Sequence, residues 1–150
     1  MNQEYERWLQ LDLAGMLAVE SGSLETAKEI GEALLALAPT YTTSWNYGNA
    51  IHKGHLILGR IALRQGDYHQ AIEHLLLAGK TPGSPQLDTF GPNMTLAKEL
   101  LEVGERDAVL TFIKLCQNFW EPEFAQDSSH LWSEQITHGE LPDFGANLNY

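Results

Sequence analysis

Residues 58–79, LGRIALRQGDYHQAIEHLLLAG, decide the fold. Tyr68, Ala71, Ile72, Leu75, Leu76 and Ala78 recur at mixed three- and four-residue steps, as one apolar helix face does. Gln65-Gly66-Asp67 interrupts the pattern just before them. Glycine accepts the left-handed conformation in which helices commonly end. The stretch therefore reads as two amphipathic helices joined by a tight turn, one ending near Arg64 and one covering 68–78.

Outward from this turn the same punctuation repeats. Gly22 and Gly104 each stand between two amphipathic runs, 44 residues before and 38 residues after Gly66. Periods of this length mean stacked helical hairpins, each burying one face internally and another against its neighbour. The spacing of apolar residues predicts helices over 5–20, 24–38, 45–64, 68–78, 94–103, 106–119 and 129–137. Ser23, Thr42-Thr43-Ser44, Asn93 and Ser128-Ser129 are the expected caps, and Pro39 closes the second helix. Residues 80–92, KTPGSPQLDTFGP, read as the one internal loop. Strand signals are weak throughout. Gly15, Gly59 and Ala97 are small residues inside helices. Gly there costs about 1 kcal/mol relative to Ala, and close packing of neighbouring helices is the compensation expected.

The middle hairpin resembles the tetratricopeptide repeat family. Leu58 and Gly59, then Gly66-Asp67-Tyr68, Ala71, Leu75, Ala78 and Pro82 fall on the family's pattern, while Ala62 and His55 stand where Tyr and Trp are usual. The first hairpin matches through Ala14-Gly15, Ala18, Gly22, Ala27, Leu34 and Pro39. The third matches through Leu96-Ala97, Leu100, Gly104, Ala108 and Phe112. The resemblance, to small bacterial-type members of the family, covers roughly residues 8–119. It implies an all-α, right-handed stack of three hairpins at about 5–39, 44–82 and 93–119, within one domain spanning 1–150. The periods exceed the family's usual length, so longer helices or loops are expected.

The remaining tail, 120–150, carries Trp120, Phe124, Leu131, Trp132, Ile136, Leu141, Phe144 and Leu148. So many large apolar groups do not belong to a free tail, and a stacked array leaves an apolar end that needs covering. The tail is read as a cap on the third hairpin. The alternatives are a segment that docks on another protein or one that fills the concave groove.

Composition narrows the functional classes. The chain has 150 residues, 43% hydrophobic and 19% charged, which is an ordinary globular composition. No apolar run approaches the ~18 residues that span a bilayer, and the first residues lack the pattern of a secretory signal. Nine basic against twenty acidic residues give a net charge of −11. Nucleic acid and membrane are therefore not expected partners of this acidic protein. Residues 52–81 are the exception, with four bases and two acids. The single cysteine, Cys116, excludes an intrachain disulfide, suits a cytoplasmic protein, and sits in an apolar run as a small core residue.

Catalytic signatures are missing: there is no nucleophile elbow, phosphate-binding loop, zincin helix or dinucleotide fingerprint. His52 and His55 share a helix face, and His69 and His74 follow on the next helix. Convergence of two or more on a metal is needed for a site, and surface or groove histidines are the plainer reading, so neither metal nor cofactor is expected. The functional candidate is a stripe on the long third helix: Asn46, Asn49, Lys53, Arg60 and Arg64, with Ile57 between and Lys98 joining from the fifth helix. In folds of the resembled family the first helix of each pair lines the concave surface. There, Asn side chains hold a peptide backbone and Lys or Arg hold carboxylates. Arg60 and Arg64 are expected to be exposed and dispensable for folding. The function expected is non-enzymatic: an adaptor or scaffold that binds a peptide or protein segment. The alternative is a regulatory or sensing subunit that takes a small anion in the same groove.

Overall fold

Three glycines reverse the chain in the same way. Gly22, Gly66 and Gly104 have φ of 82°, 79° and 89° in the computed structural model, which describes residues 2–149. Behind each, two backbone bonds close the helix end. Gly22, Gly66 and Gly104 donate to Val19, Leu63 and Leu101, each at 3.0 Å. The next residues, Ser23, Asp67 and Glu105, reach back to Ala18, Ala62 and Leu100 at 2.9, 2.9 and 3.0 Å. This paired bond pattern with a left-handed glycine satisfies the carbonyls that a helix end leaves open.

The fold is all-α, with no strand among the described residues. The elements are α1 (Gln3–Trp8), α2 (Leu11–Glu20), α3 (Leu24–Leu37), α4 (Tyr47–Arg64), α5 (Tyr68–Gly79), α6 (Pro85–Phe90), α7 (Thr95–Glu102), α8 (Arg106–Cys116) and α9 (Glu123–Thr137). Short 3-10 turns lie at Ala38–Tyr41 and Gly145–Leu148. The hairpins are α2–α3, α4–α5 and α7–α8. Their first helices form one layer, with α2 against α4 and α4 against α7. Helix α3 packs on α4, α5 on α8, and α8 on α9.

Helix α4 is the axis of the stack because its opposite sides enter two cores. Ala50, Ile57 and Ile61 pack with Trp8, Val19, Ala27 and Leu34 of the first hairpin. Leu56 and Ala62 belong to the second core, with Leu75, Met94, Leu100, Phe112 and Ile113. The helices come close where side chains are small. A Cβ on Gly59 would run into the Leu96 side chain and lie 3.1 Å from the Cβ of His74. A Cβ on Gly48 would occupy the Gly83 carbonyl. The mid-helix glycine cost is thus offset by contact that a side chain would block.

Several boundaries depart from the sequence-based expectation. Helix 5–20 is broken at Leu9-Gln10 into α1 and α2, which lets the Trp8 indole bury fully and donate to the Leu34 carbonyl at 3.1 Å. The expected loop 80–92 contains α6. Ser84 caps it by accepting from the Leu87 amide at 3.0 Å, and Pro85 fits the first turn, where no amide is needed. Helix α4 starts at Tyr47 and α8 stops at Cys116. The seventh helix begins at Glu123, so Ser128-Ser129 are interior and Pro122 occupies the cap position. The Ser23 side chain bonds to Ser21 instead of capping α3. Met94, not Asn93, holds the cap position of α7; Asn93 stands one residue earlier, its Oδ1 accepting from the Thr95 amide at 2.9 Å.

The tail joins the second core. Trp120, Trp132, Ile136 and Phe144 are buried there. Trp120 stacks on Trp132 at 5.6 Å, and Phe144 meets Trp132 edge-on at 5.0 Å. Helix α9 therefore covers α8, the end of the stack, and Gly139 (φ 81°) turns the chain back. The last turn, Gly145–Leu148, returns to the segment between α6 and α7.

Candidate functional site: a trough over α4

The polar stripe on α4 is more deeply buried than its composition suggests. Asn46, Asn49, Lys53 and Arg60 are only 3, 9, 7 and 3% exposed. Burial forces partners on such groups, and the partners come from neighbouring elements. Asn49 Nδ2 donates to Asn46 Oδ1 and to Gln86 Oε1, both at 3.1 Å, and its Oδ1 accepts from the Ser84 hydroxyl. Both donors of Asn49 are thus committed within the chain and tie α4 to α6. Thr81 adds a bond from its hydroxyl to the Gly48 carbonyl at 2.7 Å.

Farther along, Arg60 and Arg64 share one carboxylate. Arg60 donates from Nε and Nη2 to Glu99 at 3.0 and 3.2 Å, and Arg64 from Nη2 at 2.8 Å. Burial pushes the Glu99 carboxyl up, but the hydrogen bonds from Arg64 and Arg60 outweigh it and hold it below its ordinary value. Arg60 is therefore a buried, bidentate strut between α4 and α7. Its burial corrects the expectation that it is exposed. Lys98, next to Glu99 on α7, is half-buried.

The histidines divide between two places. His52 is fully buried and spans two hairpins: its Nδ1 bonds the Ala78 carbonyl and its Nε2 accepts from the Asn93 amide, both at 3.0 Å. Accepting at Nε2 fixes the proton on Nδ1, and burial drives its pKa down to about 3. His55 faces His74 across α4 and α5 with their Nδ1 atoms 3.1 Å apart, and burial lowers His55 to about 4. His69 is exposed and pairs with Glu73 one turn on at 3.6 Å. Among the described residues no three His, Cys, Asp or Glu side chains gather as metal ligands would. Cys116 is buried, and burial raises its thiol well above its usual value, which suits a core side chain.

Two open cavities lie on the α2–α4–α7 layer and meet at Asp12 and Lys53. One, of about 510 Å³, runs along α2 past Leu13, Met16 and Leu17 to Thr95 and Leu148. The other, of about 580 Å³, is walled by Leu87, Phe90 and Phe124 over Asn49 and Gln86. Leu13, Leu17, Phe90 and Phe124 are 66, 56, 61 and 57% exposed. Burial lowers the Lys53 ammonium to about 8, against the pull of the Asp12 carboxylate. The trough thus has apolar walls and a polar floor.

Of the expected site residues, Asn49 and Lys53 reach this trough. Asn46 supports Asn49, and Arg60 and Arg64 are drawn to Glu99. Sequence reasoning missed Asp12, Leu13, Leu17 and Phe90 because they come from other helices. The signal for Glu99 was available: it lies on the first helix of the next hairpin, in the same layer as α4. Comparisons with protein-family models, curated proteins and solved structures found no match to this chain.

Proposed function

We propose that the chain is a non-enzymatic adaptor or scaffold of tetratricopeptide-like type, cytoplasmic, whose trough over α4 takes a segment of another protein. The observation that carries this reading is the pair of adjoining open cavities walled by exposed Leu13, Leu17, Phe90 and Phe124. Exposed apolar residues gathered around a cleft favour a protein ligand. A segment lying there buries leucine and phenylalanine surface at about 25 cal/mol per Å².

A small-anion reading retains one favourable observation, the Lys53 ammonium between the two cavities. The engagement of Arg60 and Arg64 by Glu99 counts against it, because one carboxylate offsets half of the stripe's densest positive charge and occupies donors of both guanidinium groups within the chain. Selection from a random-peptide library tests the proposal. Selected peptides should bind a Leu13→Glu/Leu17→Glu chain at least about tenfold more weakly, on the scale of interface anchors. Both side chains are exposed, so the fold should survive. Peptides that bind both chains equally would place the surface elsewhere.

A further inference from the structure

The helices that wall the trough carry no base. Helix α2 contributes exposed Leu13 and Leu17, α6 contributes Phe90 and α9 contributes Phe124. None of the three helices holds a lysine or arginine. Their acids are Asp12 and Glu20 on α2, Asp88 on α6, and Glu123, Asp127 and Glu134 on α9. The stretches without a base reach beyond the helices, covering 8–27, 81–97 and 115–150. Asp12 lines both cavities, and exposed Glu20 lines the one along α2. Glu123 is exposed next to Phe124 in the first turn of α9.

The bases of this layer lie elsewhere. Lys53 reaches both cavities from the floor, only 7% exposed and within the pull of Asp12. Arg60, Arg64 and Lys98 are not among the residues that line either cavity, and the two arginines share Glu99. A segment arriving from solvent therefore meets apolar side chains flanked by carboxylates, on a chain of net charge −11. Leu13 and Leu17 stand one turn apart on α2, with Met16 between them. Side chains of a second helix fit between residues at that spacing. Lysine and arginine suit its flanks, because their stems cover apolar surface while their charged heads reach carboxylates.

We infer that the trough takes a basic amphipathic helix, with leucine-type side chains on one face and lysine or arginine along its edges. The inference rests on the trough reading above and names the charge and shape of the occupant. It reverses the sign suggested by the α4 stripe alone, whose bases point to acidic partners. Attraction to the acidic walls speeds encounter and rejects acidic segments of the same shape. Salt weakens it, since the Debye length shrinks from about 10 Å at 0.1 M to about 3 Å at 1 M.

The probe is a labelled amphipathic helical peptide made of leucine and lysine, with controls in which every lysine is glutamine or glutamate. At low salt the lysine peptide should bind at least about threefold more tightly than the glutamine control, on the scale of a few exposed ion pairs. The glutamate control should bind more weakly still. Glu20→Gln/Glu123→Gln should weaken the lysine peptide by a similar factor. Glu25→Gln/Glu29→Gln, the same change of charge at exposed positions of α3, should leave it unchanged. Circular dichroism checks that each variant folds. No binding of the lysine peptide, equal binding of the glutamine or glutamate control, or equal losses from the two pairs of substitutions would each overturn the inference. A control peptide that binds as tightly and still needs Leu13 and Leu17, tested with Leu13→Ser/Leu17→Ser, would overturn it while leaving the trough reading standing. Peptides indifferent to Leu13→Ser/Leu17→Ser would remove the trough reading itself.

Discussion

His52 shows how one side chain can join elements far apart in sequence. Its two ring nitrogens satisfy a carbonyl at the end of α5 and an amide before α7, and they do so only when the ring is neutral. The linkage has a definite sign. The folded pKa, about 3, lies below the ordinary 6.5, so the unfolded chain takes up the proton first. Stability from His52 is fully present above pH 6.5 and is lost as pH falls toward 3. Between pH 7 and 5.5 the loss is about 1 kcal/mol for one histidine held neutral. His55 and His74, both lowered chiefly by burial, act in the same direction. The depressed Glu99 carboxyl also favours the native state above its own range. Thermal melts should therefore show Tm falling steadily from pH 7 to pH 5. A Tm that stays level over that interval would mean that the His52 ring is not buried as described.

At the scale of elements, α4 owes its place to what it lacks. Gly59 lets α4 approach Leu96 of α7 and His74 of α5. Gly59→Leu should cost about 1–3 kcal/mol in denaturant unfolding, because the added side chain has no room. A variant as stable as the unaltered chain would show that the register of the middle hairpin is wrong. The glycine turns were legible because Gly22, Gly66 and Gly104 each follow a periodic apolar run. The break between α1 and α2 was not, since Leu9-Gln10 contains no helix breaker and Trp8 burial is a tertiary effect. Helix α6 was hidden by its company. Proline and glycine crowd 80–92, yet Ser84-Pro85 is a helix-start signal, and Ser84 caps α6 while bonding Asn49. The start of α9 was also hidden, because Pro122 supplies no side-chain cap. The stripe on α4 was legible as far as one helix carries it. Of its partners only Glu99 could be read, from its place on the first helix of the next hairpin; Gln86 and Asp12 arrive from α6 and α2, which no pattern on α4 points to.

Across the whole molecule, the excess of acid does not reach the trough as a simple field. Arg60 and Arg64 meet Glu99, and Lys53 lies within the pull of Asp12. What remains exposed there is apolar surface on α2, α6 and α9, together with the Glu20 carboxylate, Gln86 and Thr89, interrupted by the turn Gly145–Leu148. The opposite layer carries a smaller, more polar cavity of about 350 Å³ between α3 and α5, lined by Lys28, Glu32, Asp67 and Gln70. That difference between the two sides underlies the central proposal, that a protein segment binds over α4. The most direct measurement is amide chemical-shift mapping of the nitrogen-15-labelled chain titrated with a library-selected peptide. The account predicts that shifts concentrate at Leu13, Leu17, Lys53, Phe90 and Thr95. Shifts confined to Lys28, Glu32, Asp67 and Gln70 on the opposite layer would contradict it.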